Sequence, residues 1–191
     1  LNLSGETLEK LAAEFGSDTT FFIRCRPALS RGRGEMLEPV SFPVSIPIFL
    51  MNFGFGSSTA WAYKNLKLEV KNEKLEIENT QVKPTAAASD FAQSILKSAP
   101  STFNFEFLTS HSKSFFQNDL EVPVFRKFPI LKITKEYLQS QPQVAGAMMC
   151  GSGSTMMAVL KSAGEGELLR DAVLKRFGHS VWTWIGSTVR L

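Results

Sequence analysis

The sequence predicts an α+β fold, and three observations carry that expectation. Apolar residues recur at helical spacing near both ends: Leu8, Leu11, Ala12 and Phe15, then Leu168, Leu169, Ala172, Val173 and Phe177. Two apolar runs flank Gly151-Ser152-Gly153-Ser154-Thr155, the pattern of two extended segments joined by a turn that needs glycine freedom. The last third therefore reads helix, hairpin, helix, strand. Helices laid on one face of an antiparallel sheet make an α+β domain.

The elements follow in order. Ser4 caps a helix to about Phe15, Glu6 suits the positive end of its dipole, and Gly16 stops it. Thr20–Cys25 reads as a buried strand, which puts Asp18 at a helix-to-strand junction. Arg31–Glu35 is a turn, followed by a Pro-interrupted stretch to about Ser45. Ile46–Met51 reads as a strand and Asn52–Ser57 as a glycine-bearing loop, after which Ser58 caps a helix through Leu66. The charged segment Glu69–Lys83 is a solvated surface connection. Ser89 caps a helix over Asp90–Ser98, and helices follow at Asn118–Phe125, with Asn118 capping, and at Ile130–Ser140. After the hairpin of 145–160 come a helix over Glu165–Phe177, a stop at Gly178, and a strand over Val181–Ile185.

Composition bounds the function. The 191 residues are 43% hydrophobic and 20% charged, which suits a globular chain with a real core. A net charge of +3 is too mild to argue for nucleic acid or an anionic membrane, and Arg24, Arg26, Arg31 and Arg33 form one local basic cluster. Cys25 and Cys150 belong to no CxxC pair, which fits a reducing, cytoplasmic compartment. Two histidines, His111 and His179, argue against a histidine-rich zinc site, and no metal site is expected. No apolar run approaches the roughly 20 residues that span a bilayer, and the start lacks the basic and apolar regions of a secretory signal.

The turn at Gly151–Gly153 is a candidate anion contact, because glycine lets backbone N–H groups approach a phosphate without Cβ interference. It has no third glycine at dinucleotide spacing and no Gly-Lys-Ser/Thr, so both common nucleotide fingerprints fail. By local pattern alone a purely structural hairpin is the favoured reading.

Five separated segments occur in an informative order: GSDTTFFI at Gly16–Ile23, RGRGE at Arg31–Glu35, GSSTAWAY at Gly56–Tyr63, NDLEVPVF at Asn118–Phe125, and AGAMMCGSGSTMMAVL at Ala145–Leu160. Together they resemble the 4-diphosphocytidyl-2-C-methyl-D-erythritol kinases of the GHMP kinase superfamily. The resemblance places the chain in the C-terminal two-thirds of such a kinase. It implies that residues 1–44 are the incomplete tail of an N-terminal domain like ribosomal protein S5, and that 45–191 form a ferredoxin-like C-terminal domain. The family's glycine-rich phosphate loop has no counterpart here.

By this resemblance the activity is ATP-dependent, magnesium-assisted phosphorylation of a hydroxyl of 4-diphosphocytidyl-2-C-methyl-D-erythritol in non-mevalonate isoprenoid synthesis. The host is bacterial, or the protein plastid-borne. Asp18 matches the catalytic aspartate, which orients the attacking hydroxyl or takes its proton. Thr59 approaches the reacting centre, and Tyr63 stands where an aromatic stacks on cytosine, with Phe53 and Phe55 as further stacking candidates. Thr59 and Tyr63, four apart on a helix, share a face. Gly151, Ser152 and Gly153 are active-site scaffold. The isolated chain is expected to be inactive, its apolar face of Leu8, Leu11, Phe15, Phe21 and Phe22 being made for a missing N-terminal kinase segment. Thr20 and Ser154 stand where proline is common in the family, Cys150 where serine is, and Phe53 where proline is, which marks a divergent member. Another GHMP small-molecule kinase and a non-catalytic binding module of the same fold are the alternatives.

Overall fold

The computed structural model describes residues 2–16, 18–31, 34, 36–40, 45–74 and 116–188. They fall into two compact units, one holding the residues up to 40 and the other those from 45 onward.

The first unit begins with α1 (Gly5–Phe15). The Ser4 hydroxyl accepts the Thr7 N–H at 3.2 Å, which satisfies one of the orphan donors of the first turn. At the other end the Gly16 N–H donates to the Ala12 carbonyl, and the Thr19 hydroxyl donates to the Ala12 and Gly16 carbonyls. The buried strand expected over Thr20–Cys25 is instead a single helical turn, α2 (Phe21–Arg24). An apolar run without alternation suits either conformation, and local hydrogen bonding decides it. The N–H groups of Phe22 and Ile23 donate to Thr19 and Thr20, and the Cys25 N–H closes on the Phe21 carbonyl at 2.8 Å. Cys25, at φ +47°, is left-handed and ends the turn. Phe22 is 69% exposed, so this run is not core. Asp18 therefore sits in a turn between two helices. Beyond it, β1 (Ala28–Arg31) and β2 (Met36–Pro39) pair antiparallel, in register from Ala28↔Pro39 to Arg31↔Met36.

The second unit is built on a four-stranded antiparallel sheet in the order β4-β5-β3-β6, with β3 (Pro47–Asn52), β4 (Val144–Met149), β5 (Met156–Leu160) and β6 (Trp182–Ser187). In β3, Phe49 and Met51 are fully buried while Ile48, Leu50 and Asn52 are half-buried, the period-two signature of a sheet with one face on the core. Among the described residues four helices accompany it: α3 (Thr59–Lys74), α4 (Glu121–Lys127), α5 (Pro129–Ser140) and α6 (Gly166–Phe177). The α5 helix packs on β4 and β5, and α6 on β3 and β6. Leu131, Thr134 and Leu138 of α5 recur at i, i+3 and i+7 and are fully buried, as are Leu169 and Val173 of α6.

Most of the expected elements of this unit are present. The helix after Ser58 runs on to Lys74 rather than stopping at Leu66. Pro129 occupies the first turn of α5, where its missing N–H costs nothing. Gly178, at φ +98°, ends α6. The helix expected over Asp90–Ser98 lies outside the described residues. Among the described residues no helix is long and apolar enough to cross a membrane.

Candidate active site

The β4–β5 connection is a tight turn. The Cys150 N–H donates to the Thr155 carbonyl at 2.8 Å and the Gly153 N–H to the Cys150 carbonyl at 3.0 Å. Gly151 and Gly153 have φ of +52° and +83°, a region that costs an L-residue roughly 1–2 kcal/mol. A Cβ at Gly153 would also come within 2.8 Å of the Met149 sulfur, whereas one at Gly151 would meet open space. Conformation alone demands glycine at 151; conformation and packing together demand it at 153.

The segment Asn52–Thr59 is tied to this turn by four hydrogen bonds. The Asn52 amide donates to the Thr155 hydroxyl at 2.9 Å, and the Ser154 hydroxyl donates to the Phe55 carbonyl. The Ser152 hydroxyl approaches the Ser57 carbonyl at 3.4 Å and shares a 2.9 Å hydrogen bond with the Thr59 hydroxyl. Ser58 caps α3 as expected, its hydroxyl accepting the Trp61 N–H at 3.3 Å. Thr59, Ser152 and the two glycines, predicted from separate segments, thus come together at the start of α3.

Tyr63 lies one turn beyond Thr59 and is 53% exposed. Phe53 and Phe55 are half-buried and stacked on each other at 6.2 Å, and both pack on the core. Phe53 meets Phe177 edge-on, and Phe55 lies 5.0 Å from Phe128. Trp61 also packs on the core, with the Lys127 ammonium 4.1 Å from its ring centre. Of the four aromatics, Tyr63 is the one the structure leaves mostly in solvent.

Asn118 does something other than cap α4. The N-cap of α4 is Leu120, whose N–H is accepted by the Asn118 side-chain oxygen at 3.0 Å. The Asn118 amide nitrogen donates to the carbonyls of Met149 and Gly151, at 2.8 and 2.7 Å. Three residues on, one Glu121 carboxylate oxygen accepts the Met149 N–H at 2.8 Å and the other accepts from the Lys135 ammonium at 2.5 Å. This pair is largely buried, so it is held by hydrogen bonds on both sides rather than by Coulomb attraction alone. Sequence reasoning missed this link because nothing in local spacing connects residue 118 to residues 149–151. The one available hint was two polar residues, Asn118 and Glu121, at the head of an apolar segment.

Asp18 is exposed in the α1–α2 turn of the first unit. Among the described residues no group of three or more His, Cys, Asp or Glu is placed to hold a metal ion. Both cysteines are free thiols, Cys25 exposed and Cys150 half-buried in the glycine turn. Burial pushes the Cys150 thiol above its ordinary value of 9.0.

Comparison with known proteins adds to this geometry. Residues 106–179 match the family model of the GHMP kinases C-terminal region. The 4-diphosphocytidyl-2-C-methyl-D-erythritol kinase of Nostoc sp. is 32% identical over 177 residues, which are 91% of this chain and 53% of that protein. The enzyme of the same name from Citrifermentans bemidjiense is 28% identical over all of this chain and 57% of its own length. The chain thus spans a little over half the length of these curated relatives. A crystal structure of 4-(cytidine 5'-diphospho)-2C-methyl-D-erythritol kinase superposes with a TM-score of 0.63 at 24% identity, covering 97% of this chain and 57% of that one. Homoserine kinase from Cytophaga hutchinsonii superposes at 0.65 with 12% identity, over 99% of this chain and 59% of that one, so the fold extends across several kinases. Residues 106–179 therefore match the C-terminal region of the GHMP kinases and, from end to end, the chain resembles a little over half of a 4-diphosphocytidyl-2-C-methyl-D-erythritol kinase.

Proposed function

We propose that this chain is part of a small-molecule kinase that transfers a phosphoryl group from ATP to a hydroxyl of 4-diphosphocytidyl-2-C-methyl-D-erythritol. The observation that carries the reading is its similarity, at 28–32% identity over nine-tenths or more of its length, to enzymes of that name. Residues 45–191 would be the C-terminal domain, of ferredoxin-like architecture, and residues 1–44 the tail of the N-terminal domain.

In this reading Asp18 accepts or orients the proton of the attacking hydroxyl. Thr59, held by Ser152, contributes a second hydroxyl, and exposed Tyr63 offers a ring face to the cytosine. Gly151 and Gly153 support the wall on which Thr59 stands. Phe53 and Phe55, engaged with Phe177 and Phe128, would back this wall rather than stack on the base. Phosphoryl transfer depends mainly on position and on neutralising charge, and these groups supply position. Magnesium and the ATP phosphates are assigned, on the same resemblance, to the further length that the relatives possess. The same length is the proposed partner for the exposed apolar surface of α1 and α2, where Leu8, Leu11, Phe15, Phe21 and Phe22 are 38–87% exposed.

The test is reconstitution. The 191-residue chain alone is expected to transfer no phosphate, and the chain joined to the N-terminal half of a relative is expected to phosphorylate the cytidine substrate. Calorimetry on the joined protein should show binding of cytidine 5'-diphosphate in preference to homoserine or mevalonate. A preference for either of the latter would identify another GHMP kinase. A joined protein that binds but never transfers would make the chain a binding module.

A further inference from the structure

We infer that Asn118 is a positioning residue: it holds the Gly151 turn and, through the Ser152–Thr59 hydroxyl pair, sets where Thr59 stands. The functional weight of this rests on the reading of Thr59 as part of the transfer site. Met149 is the last residue of β4, and beyond it the chain must leave the sheet. A primary amide carries two N–H donors, and Asn118 directs its amide nitrogen at two carbonyls, those of Met149 and Gly151. Its oxygen is occupied by the Leu120 N–H. Glu121, from the same short segment, takes the Met149 N–H, and Lys135 of α5 holds Glu121 in turn. One segment therefore grips both polar groups of Met149 and the carbonyl of Gly151.

The residue next to Gly151 is Ser152, whose hydroxyl meets Thr59 at 2.9 Å. Any swing of Gly151 moves that hydroxyl with it. Gly151 is exposed, and a Cβ there would meet open space, so what holds it is hydrogen bonding: the Cys150–Thr155 and Gly153–Cys150 backbone bonds of the turn and the Asn118 amide on its carbonyl.

Asparagine and aspartate are equally good acceptors for a backbone N–H at a helix start. They differ in donors, since an ionised carboxylate has none and would face two carbonyl oxygens with a negative charge. Asn118→Asp therefore separates the two roles. If Asn118 merely orders the start of α4, the aspartate variant matches the parent. If it clamps the turn, the aspartate variant is as poor as Asn118→Ala, or poorer.

The first readout is the amide spectrum of the ¹⁵N-labelled 191-residue chain. In Asn118→Asp the resonances of residues 150–155 and of Thr59 should move, while those of α6 stay in place. In Ser152→Ala the Thr59 resonance should move with the turn itself little changed, which keeps the test open should the aspartate variant not fold. The second readout is steady-state kinetics in the protein joined to the N-terminal half. There Asn118→Asp should lower kcat about ten- to a hundredfold with KM for the cytidine substrate within about threefold, the pattern of a reacting group misplaced by a fraction of an ångström. Unmoved turn resonances in Asn118→Asp would overturn the clamp, and a shifted turn with unchanged kcat would overturn its link to Thr59. A parent protein with no transfer activity would count against the kinase reading alone, because the spectra still decide whether Asn118 holds the turn and Thr59.

Discussion

The two units of this chain spend their apolar residues in opposite ways. From residue 45 onward, Phe49, Met51, Leu131, Leu138, Met149, Met156, Leu160 and Leu169 are fully buried in one cluster. Up to residue 40, Ala12 is the one buried apolar side chain among the described residues, while Phe15 and Phe22 are 87% and 69% exposed. The first pattern is a finished core. The second is an amphipathic helix whose apolar side chains stand in solvent, the pattern of a surface made to be covered. The relatives are longer than this chain, which covers 53–57% of their length, and the proposed function gives the exposed face of the first unit a partner there.

Predictions follow from breaking this contrast. The largest effect belongs to chemistry. In the joined protein, Asp18→Ala should lower kcat by about 10²–10⁴-fold, the range of a lost general base, with KM little changed. Unchanged turnover would remove the first unit from the reaction. Stability should show the reverse weighting. Phe49→Ala, at a site with no exposure, should cost about 3–5 kcal/mol in urea unfolding of the chain. Phe22→Ala should stay within about 0.5 kcal/mol, as surface substitutions do. Similar losses at both would mean that the first unit has a core after all. Within the glycine turn, Gly153→Ala should destabilise more than Gly151→Ala. Both carry left-handed strain of roughly 1–2 kcal/mol, but only the former also drives a methyl into the Met149 side chain. Ser4→Ala should remove about 1 kcal/mol of helix stability from α1 and leave the unfolding of the second unit untouched.

What was legible in the sequence was whatever had a local cause. Ser4, Gly16, Ser58 and Gly178 mark helix ends through capping chemistry within a few residues, and the helix–hairpin–helix–strand run of the last third announces itself by periodicity. Thr20–Cys25 is not legible from its pattern because three apolar residues in a row, Phe21–Ile23, fit a buried strand or one helical turn equally, and the choice falls to the Cys25 N–H closing on Phe21. The candidate site was legible in part: Thr59 and Ser152 were each singled out, from segments 93 residues apart, and the structure joins them by a hydroxyl–hydroxyl bond. For Asn118 the sequence offers only a local role, a helix cap, and for Glu121 it offers no distant partner. Their partners at Met149 and Gly151 are 28 to 33 residues away, beyond any local pattern.

The smallest effect tests the same contrast at the two thiols, one in each unit. Cys25 is exposed, its sulfur donating to the Phe22 carbonyl at 3.2 Å, while Cys150 is half-buried in the glycine turn. Burial penalises the thiolate, so the Cys150 thiol stays protonated past its ordinary value of 9.0. In the unfolded chain the same thiol ionises at that ordinary value. Between the two values the unfolded state has lost a proton that the folded state still holds, so this group favours folding below about pH 9 and its contribution declines as pH rises through and beyond that point. The thiolate is the reactive form, so a disulfide reagent at pH 8 should label Cys25 well before Cys150, and the Cys150 rate should still be climbing above pH 9. Because the turn must open to admit the reagent, Asn118→Asp should speed labelling at Cys150 and leave Cys25 unchanged. Equal rates in the parent would mean that the turn is already open, and would remove the rigidity on which the positioning of Thr59 depends.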